Sequence, residues 1–157
     1  MNIYKEKIEK IFQECDKHIL RIASSSKKMR SYMPLNEDKY VNLTEDEIEH
    51  IDQFLFRFSK LQDSMGEKLF KTILLLLDES IENKAFIDIL NRLEKLELLE
   101  SVNVWRELRN YRNDLAHNYE DDPIETSEVI NRLYDKRESL IEIYRRIKSY
   151  YEKKIEK

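Results

Sequence analysis

The residues best suited to chemistry lie close together, late in the chain, in the string Arg109-Asn110-Tyr111-Arg112-Asn113-Asp114-Leu115-Ala116-His117-Asn118-Tyr119. Arg112 is permanently cationic, and its planar fork matches the oxygens of a phosphate. Such a group stabilises charge that builds on phosphorus in a transition state. His117 can move a proton near neutral pH, because imidazole titrates there unaided. Asn113 can orient the imidazole or hold a phosphate oxygen. Arg109 adds a second cation one turn before Arg112. Histidine is scarce, with three in the chain, so its place beside two arginines draws notice. The competing reading is an ordinary solvated helix face, where exposed Arg and Asn are common.

These side chains need a rigid element to hold them. On an ideal helix of about 100° per residue, Val104, Leu108, Tyr111 and Leu115 fall within one arc, which predicts the core stripe. Arg112, Arg109, Asn113 and His117 then follow in order around roughly the opposite side. Arg112 and His117 stand about 140° apart, with Asn113 between them.

The rest of the chain reads as helix too. It has 157 residues, 38% charged and 41% hydrophobic, with one glycine and two prolines. So few turn formers exclude an all-β or dinucleotide-binding chain, and there is no glycine-rich phosphate loop. One cysteine, Cys15, excludes an internal disulfide and a Cys-based zinc site, and Cys15 falls on an apolar stripe that predicts a core position. No cofactor and no metal are expected. The longest apolar run, Ile73 to Leu77, is too short to cross a membrane, and no signal-peptide core is evident. The expectation is a cytoplasmic, all-α chain forming one domain over residues 1–157.

Five helices are predicted. The first runs from about Asn2 to Ile22, with a connection over residues 27–43 broken by Pro34. Thr44 and Glu47 form a capping box that opens the second, whose stripe runs through Ile48, Ile51, Phe54, Phe58, Leu61, Met65 and Leu69. Gly66 within it marks a kink or a close approach of a neighbour. A short third helix covers about Ala85 to Leu98. The motif helix spans about 101–119, capped by Ser101. After Glu120-Asp121-Asp122-Pro123, a fifth helix runs from about Ser127 to near the end, with Arg137 on its seam. Four long helices and one short one predict an antiparallel up-and-down bundle.

The string from Arg112 to Tyr119 resembles the R-x4-6-H signature of the HEPN superfamily. More narrowly, it resembles the R-x4-H-x-Y form of the HepT-like toxins, completed by Tyr119. Asn113 is the polar residue those proteins often carry after the arginine. The segment Phe56-Arg57-Phe58-Ser59-Lys60-Leu61-Gln62-Asp63, followed by Gly66-Glu67-Lys68-Leu69-Phe70, is similar to the second helix of the same group. The resemblance covers the chain from about Thr44 onward. It implies a HEPN-like helical bundle and a metal-independent endoribonuclease, in which the RNA's own 2′-hydroxyl attacks the adjacent phosphate. It implies Arg112 and His117 as catalytic residues, with Asn113, Arg109 and Asp63 in support. It implies a homodimer whose two motif helices line one groove. It also implies a minimal nucleotidyltransferase antitoxin that silences the nuclease by transferring AMP onto Tyr119.

The alternative within the same resemblance is a non-catalytic scaffold subunit of a nucleotidyltransferase; a third reading is an unrelated helical adaptor. A net charge of −4 does not advertise an RNA binder, so any positive groove must be local. Asp63 either pairs with an arginine of the motif helix or is a plain surface carboxylate. His18 and His50 read as surface or boundary histidines. Trp105 reads as a packing or interface residue, and most of the nine tyrosines fall on helix seams.

Overall fold

The computed structural model describes residues 3–118 and 122–155, with the side chains of His117 and Asn118 outside that set. Every regular element among the described residues is helical. In chain order they are α1 (Ile3–Met29), α2 (Glu37–Val41), α3 (Glu45–Ser64), a π turn (Met65–Leu69), α4 (Phe70–Leu76), α5 (Phe86–Lys95), α6 (Val102–Asn118), α7 (Pro123–Asp135), α8 (Arg137–Tyr150) and a second π turn (Tyr151–Ile155). No described helix is long and apolar enough to cross a membrane.

α1 is longer than the sequence pattern predicts. It continues through the serine run to Met29, because the hydroxyls bond back to the helix's own carbonyls. Ser25 donates to Arg21 O at 2.8 Å, and Ser26 to Ala23 O at 3.2 Å. Both serines are buried, so those bonds also satisfy them. The expected connection over residues 27–43 therefore shrinks, and it holds α2, capped by the Asn36 side chain on Lys39 N at 2.8 Å.

α3 opens on the predicted capping box: Thr44 Oγ1 accepts from Glu47 N, and Glu47 Oε1 accepts from Thr44 N at 2.9 Å. Its stripe is buried from Ile51 onward, while Ile48 is exposed. α1 runs antiparallel beside α3. The register is fixed by Tyr32 on Glu47, His18 on Arg57, and Glu14 on Lys68. α8 covers the other side of α1. There, the Tyr144 hydroxyl donates to Phe12 O and Asp16 Oδ1, and Phe12 packs edge-on against Tyr144 and Tyr151.

The last predicted helix is two. Asp122 caps α7 by accepting from Ile124 N and Glu125 N, with Pro123 in the first turn where its missing N–H costs nothing. The chain then breaks at Lys136. Arg137 turns back there, donating to Tyr134 O at 2.5 Å with its guanidinium 4.0 Å from the Tyr134 ring.

Gly66 lies in the first π turn, where the α6 indole meets the backbone. A methyl added at Gly66 would stand 3.2 Å from Trp105 Cζ2. Trp105 is fully buried and packs edge-on against Phe70, with ring centroids 4.7 Å apart. The chain's single glycine thus serves a close approach inside a helix. Two helix ends that commonly take glycine use acids instead. Asp78 (φ 58°) and Glu97 (φ 63°) adopt the left-handed conformation after α4 and α5. Glu79 N bonds back to Leu74 O, and Leu98 N to Leu93 O, closing both ends in the Schellman pattern.

Candidate functional site

α6 is positioned from its start. Glu94 accepts the Val102 N–H at 2.7 Å, and Ser101 Oγ accepts from Val104 N at 3.4 Å. Three turns of this helix then face the rod formed by α3 and α4. The buried arc overlaps the predicted one but is shifted around the helix. Val102, Trp105 and Leu108 are buried, Tyr111 and Leu115 are half-buried, and Val104 is exposed at 40%. The core side is turned toward Trp105, which occupies the recess at Gly66.

That rotation changes the standing of Arg112. Seven residues beyond Trp105, it lies about 20° from it on an ideal helix, and so faces α3 rather than solvent. Its guanidinium forks onto Asp63: Nη1 donates to Oδ1 at 2.5 Å and Nη2 to Oδ2 at 3.1 Å. Arg109 Nη1 stands 3.6 Å from the same Oδ1. Both partners of the main pair have three quarters of their side-chain surface covered. Asp63 is therefore the pairing carboxylate, and two arginines converge on it. Bidentate pairing fixes the plane of the guanidinium as well as its position.

Beside this pair is a groove of about 420 Å³ between α3 and α6, lined by Asp52, Leu55, Phe56, Ser59, Arg112, Leu115 and Ala116. Phe56 is half-exposed on its wall. Sequence reasoning placed Phe56 only within a resembling segment. Its exposure was readable from the pattern, since it falls off the stripe of Phe54, Phe58 and Leu61. Asn113 is exposed on the next face of α6. The α6 backbone is helical through Asn118, which puts position 117 about 140° around from Arg112. The side chain of His117 and all of Tyr119 lie outside the described residues.

Neighbouring groups are drawn away from the groove. The Tyr111 hydroxyl donates to Glu107 Oε1 at 2.7 Å, which pushes its pKa up, and Arg132 lies 5.7 Å from the Tyr111 ring. Cys15 is fully buried, and burial pushes its thiol up to about 12, so it is no nucleophile at neutral pH. Among the described residues, no group of three or more His, Cys, Asp or Glu is placed to hold a metal ion.

His18 departs from expectation. It is buried between α1 and α3, and its Nδ1 lies 3.0 Å from Arg57 Nη1. A guanidinium only donates, so Nδ1 is the acceptor and the imidazole is neutral. Burial first, and the Arg57 charge second, lower its pKa. His50 is half-buried, 3.5 Å from the Tyr32 hydroxyl.

No family model matches the chain, and no curated protein or solved structure matches it significantly.

Proposed function

We propose that the chain is a HEPN-type, HepT-like endoribonuclease that works without a metal. The observation that carries this reading is the Asp63 fork on Arg112. It holds a phosphate-matching cation rigidly at the mouth of a groove, on the same helix as His117.

In the proposed reaction the RNA's 2′-hydroxyl loses its proton to a base and attacks the adjacent phosphorus. The 2′-oxygen-to-phosphorus bond forms and the bond to the 5′-oxygen breaks. That oxygen leaves with a proton, and a cyclic phosphate remains. His117 is the proton-transfer group. Arg112 stabilises the charge on the phosphorane-like transition state, and Arg109 adds to the local positive potential. Asp63 is a positioning residue for Arg112, and Asn113 orients the imidazole or holds a phosphate oxygen. Because positions 112 and 117 diverge around one helix, a phosphate engages both more readily in a cleft shared by two protomers, so the active form is a homodimer. A minimal nucleotidyltransferase partner silences the enzyme by placing AMP on Tyr119. AMP there adds a bulky anion seven residues on from Arg112.

The test is cleavage of single-stranded RNA in EDTA by wild type, Arg112→Ala and His117→Ala. Wild type is expected to cut and leave cyclic phosphate ends. Each variant should be slower by about 10²-fold or more. A clean wild-type protein that leaves RNA intact overturns the reading and favours the scaffold alternative. Co-expression with a nucleotidyltransferase, followed by mass spectrometry, tests Tyr119: an adduct elsewhere rejects that site.

A further inference from the structure

On the opposite flank of α3 from the Arg112 groove, the seam between α1 and α3 carries a second polar surface. Arg21, Ser24 and Lys28 of α1 face Glu49, His50 and Gln53 of α3 around a pocket of about 310 Å³. Lys17, Arg21, Ser24 and Lys28 recur every three or four residues, so one face of α1 carries them all. Arg57 and Lys60 flank the same seam from α3. Among the described residues, none of Lys17, Arg21, Lys28, Arg57 and Lys60 is in a salt bridge with a carboxylate. Glu49 is the one carboxylate lining the pocket. Arg57 spends one guanidinium nitrogen on the neutral His18, which leaves its charge uncompensated, and its Nε is buried without a partner.

Phe56 connects this seam to the groove. It lines the groove beside Arg112, is 52% exposed, and has Arg57 and Lys60 each 5.6 Å from its ring centroid. From Asp63 to Gln53 the path along α3 is about 15 Å, a span of several nucleotides' backbone contacts. An exposed ring flanked by free cations is the arrangement that receives a stacked base between phosphates. A polyglutamate chain would meet the cations but has no flat group to use the ring.

We propose that the α1–α3 seam is a binding track for single-stranded RNA, in which Phe56 stacks a base and Arg21, Lys28 and Arg57 hold the phosphates leading away from the Arg112 groove. The choice of RNA rests on the ribonuclease reading; the track itself rests on the charges, the pocket and the ring.

The experiment is fluorescence anisotropy with a labelled 2′-O-methyl uridine oligomer, which binds as RNA but lacks the attacking hydroxyl. Binding is measured against salt for wild type, Arg21→Ala/Lys28→Ala, Phe56→Ala, and a control pair on α8, Arg145→Ala/Arg146→Ala. The seam pair is expected to bind about tenfold or more weakly, and to flatten the log-affinity against log-salt slope by about 1.4. Phe56→Ala should lose about tenfold with the slope unchanged. The charge-keeping pair Arg21→Lys/Lys28→Arg should stay within about twofold of wild type, and so should the α8 pair. Wild-type affinity in both the seam pair and Phe56→Ala overturns the track. So does displacement of the oligomer by polyglutamate at the concentrations that RNA requires. Cleavage by wild type with binding unchanged in the variants would overturn the track and leave the nuclease reading intact. Binding lost in the variants with no cleavage by wild type would do the reverse.

Discussion

Two contacts join α6 to the rod of α3 and α4, and they are made of opposite materials. At one, the Trp105 indole fills the recess over Gly66 and packs on Phe70, with almost no surface left to water. At the other, two turns further along α6, Arg112 forks onto Asp63 at the edge of an open groove. The first is dry and shape-dependent, and an added methyl there displaces the indole by a few tenths of an ångström. The second is directional, partly wet and worth little to stability, because an ion pair still a quarter exposed at a groove edge gains modestly over its hydrated parts. The apolar contact sets the rotation of α6, and that rotation brings Arg112 to Asp63. The dry contact and the proposed catalytic arginine are thus about 10 Å apart along one helix.

Mutations can test this separation. The largest effect is expected from Trp105→Ala, which removes the buried indole and should cost about 3–5 kcal/mol in denaturant unfolding. It should also loosen α6 enough to abolish any RNA cleavage. Gly66→Ala meets the same ring from the other side. The indole must give by a few tenths of an ångström, for a cost of about 1 kcal/mol or somewhat more. If Gly66→Ala proves neutral or stabilising, the recess is not what fixes the rotation. Asp63→Ala should reverse the pattern, with a stability loss of about 1 kcal/mol or less but cleavage reduced by about tenfold or more. Equal losses in both measurements would mean that the fork is structural, and the contrast between the two contacts would fail.

A third site sharpens the comparison through pH. His18 is held neutral in the fold: burial first and the Arg57 charge second lower its pKa, Glu14 opposes them, and Lys60 and Lys17 add to the lowering, so its folded pKa lies below the unfolded value of about 6.5. The folded chain then binds fewer protons than the unfolded one. Its contribution is present at neutral pH and is lost as pH falls below about 6.5 toward the folded pKa. Thermal melts from pH 7.5 to 5 should show this decline. His18→Gln can keep an acceptor for Arg57 without titrating, and should flatten it. The smallest expected effect is a gain. Glu97→Gly relieves a left-handed residue after α5 and should stabilise by about 0.5–1 kcal/mol in the same unfolding assay.

Local signals in the sequence were reliable where one segment decided the outcome. Thr44 and Glu47 cap α3 as their spacing predicts. Pro123, read as part of a break before a helix at about Ser127, instead opens α7 beside its Asp122 cap. Misreadings arose where a distant partner decided. The serines of α1 read as a helix end, yet their hydroxyls close onto Arg21 and Ala23 and the helix continues. His18 read as a surface or boundary residue because its partner, Arg57, is on another helix. Val104 and Trp105 compete for the core side of α6 by periodicity alone, and packing against other helices, including Gly66 and Phe70, goes to Trp105. The same choice turned Arg112 inward. The sequence offered Asp63 as one of two readings, and the rotated helix decides between them.

The π turn at Met65–Leu69 makes that geometry possible in a further way. A π turn holds one more residue than the α turn it replaces, so it shifts the phase of everything after it by about 100°. On an uninterrupted helix, Phe70 would fall about 20° from Asp63 and face the groove. With the extra residue, Phe70, Ile73 and Leu74 swing away and join Phe58 and Leu61 in the core. One inserted residue thus lets a single rod present a carboxylate to Arg112 and, two turns later, a wall of hydrocarbon to the interior.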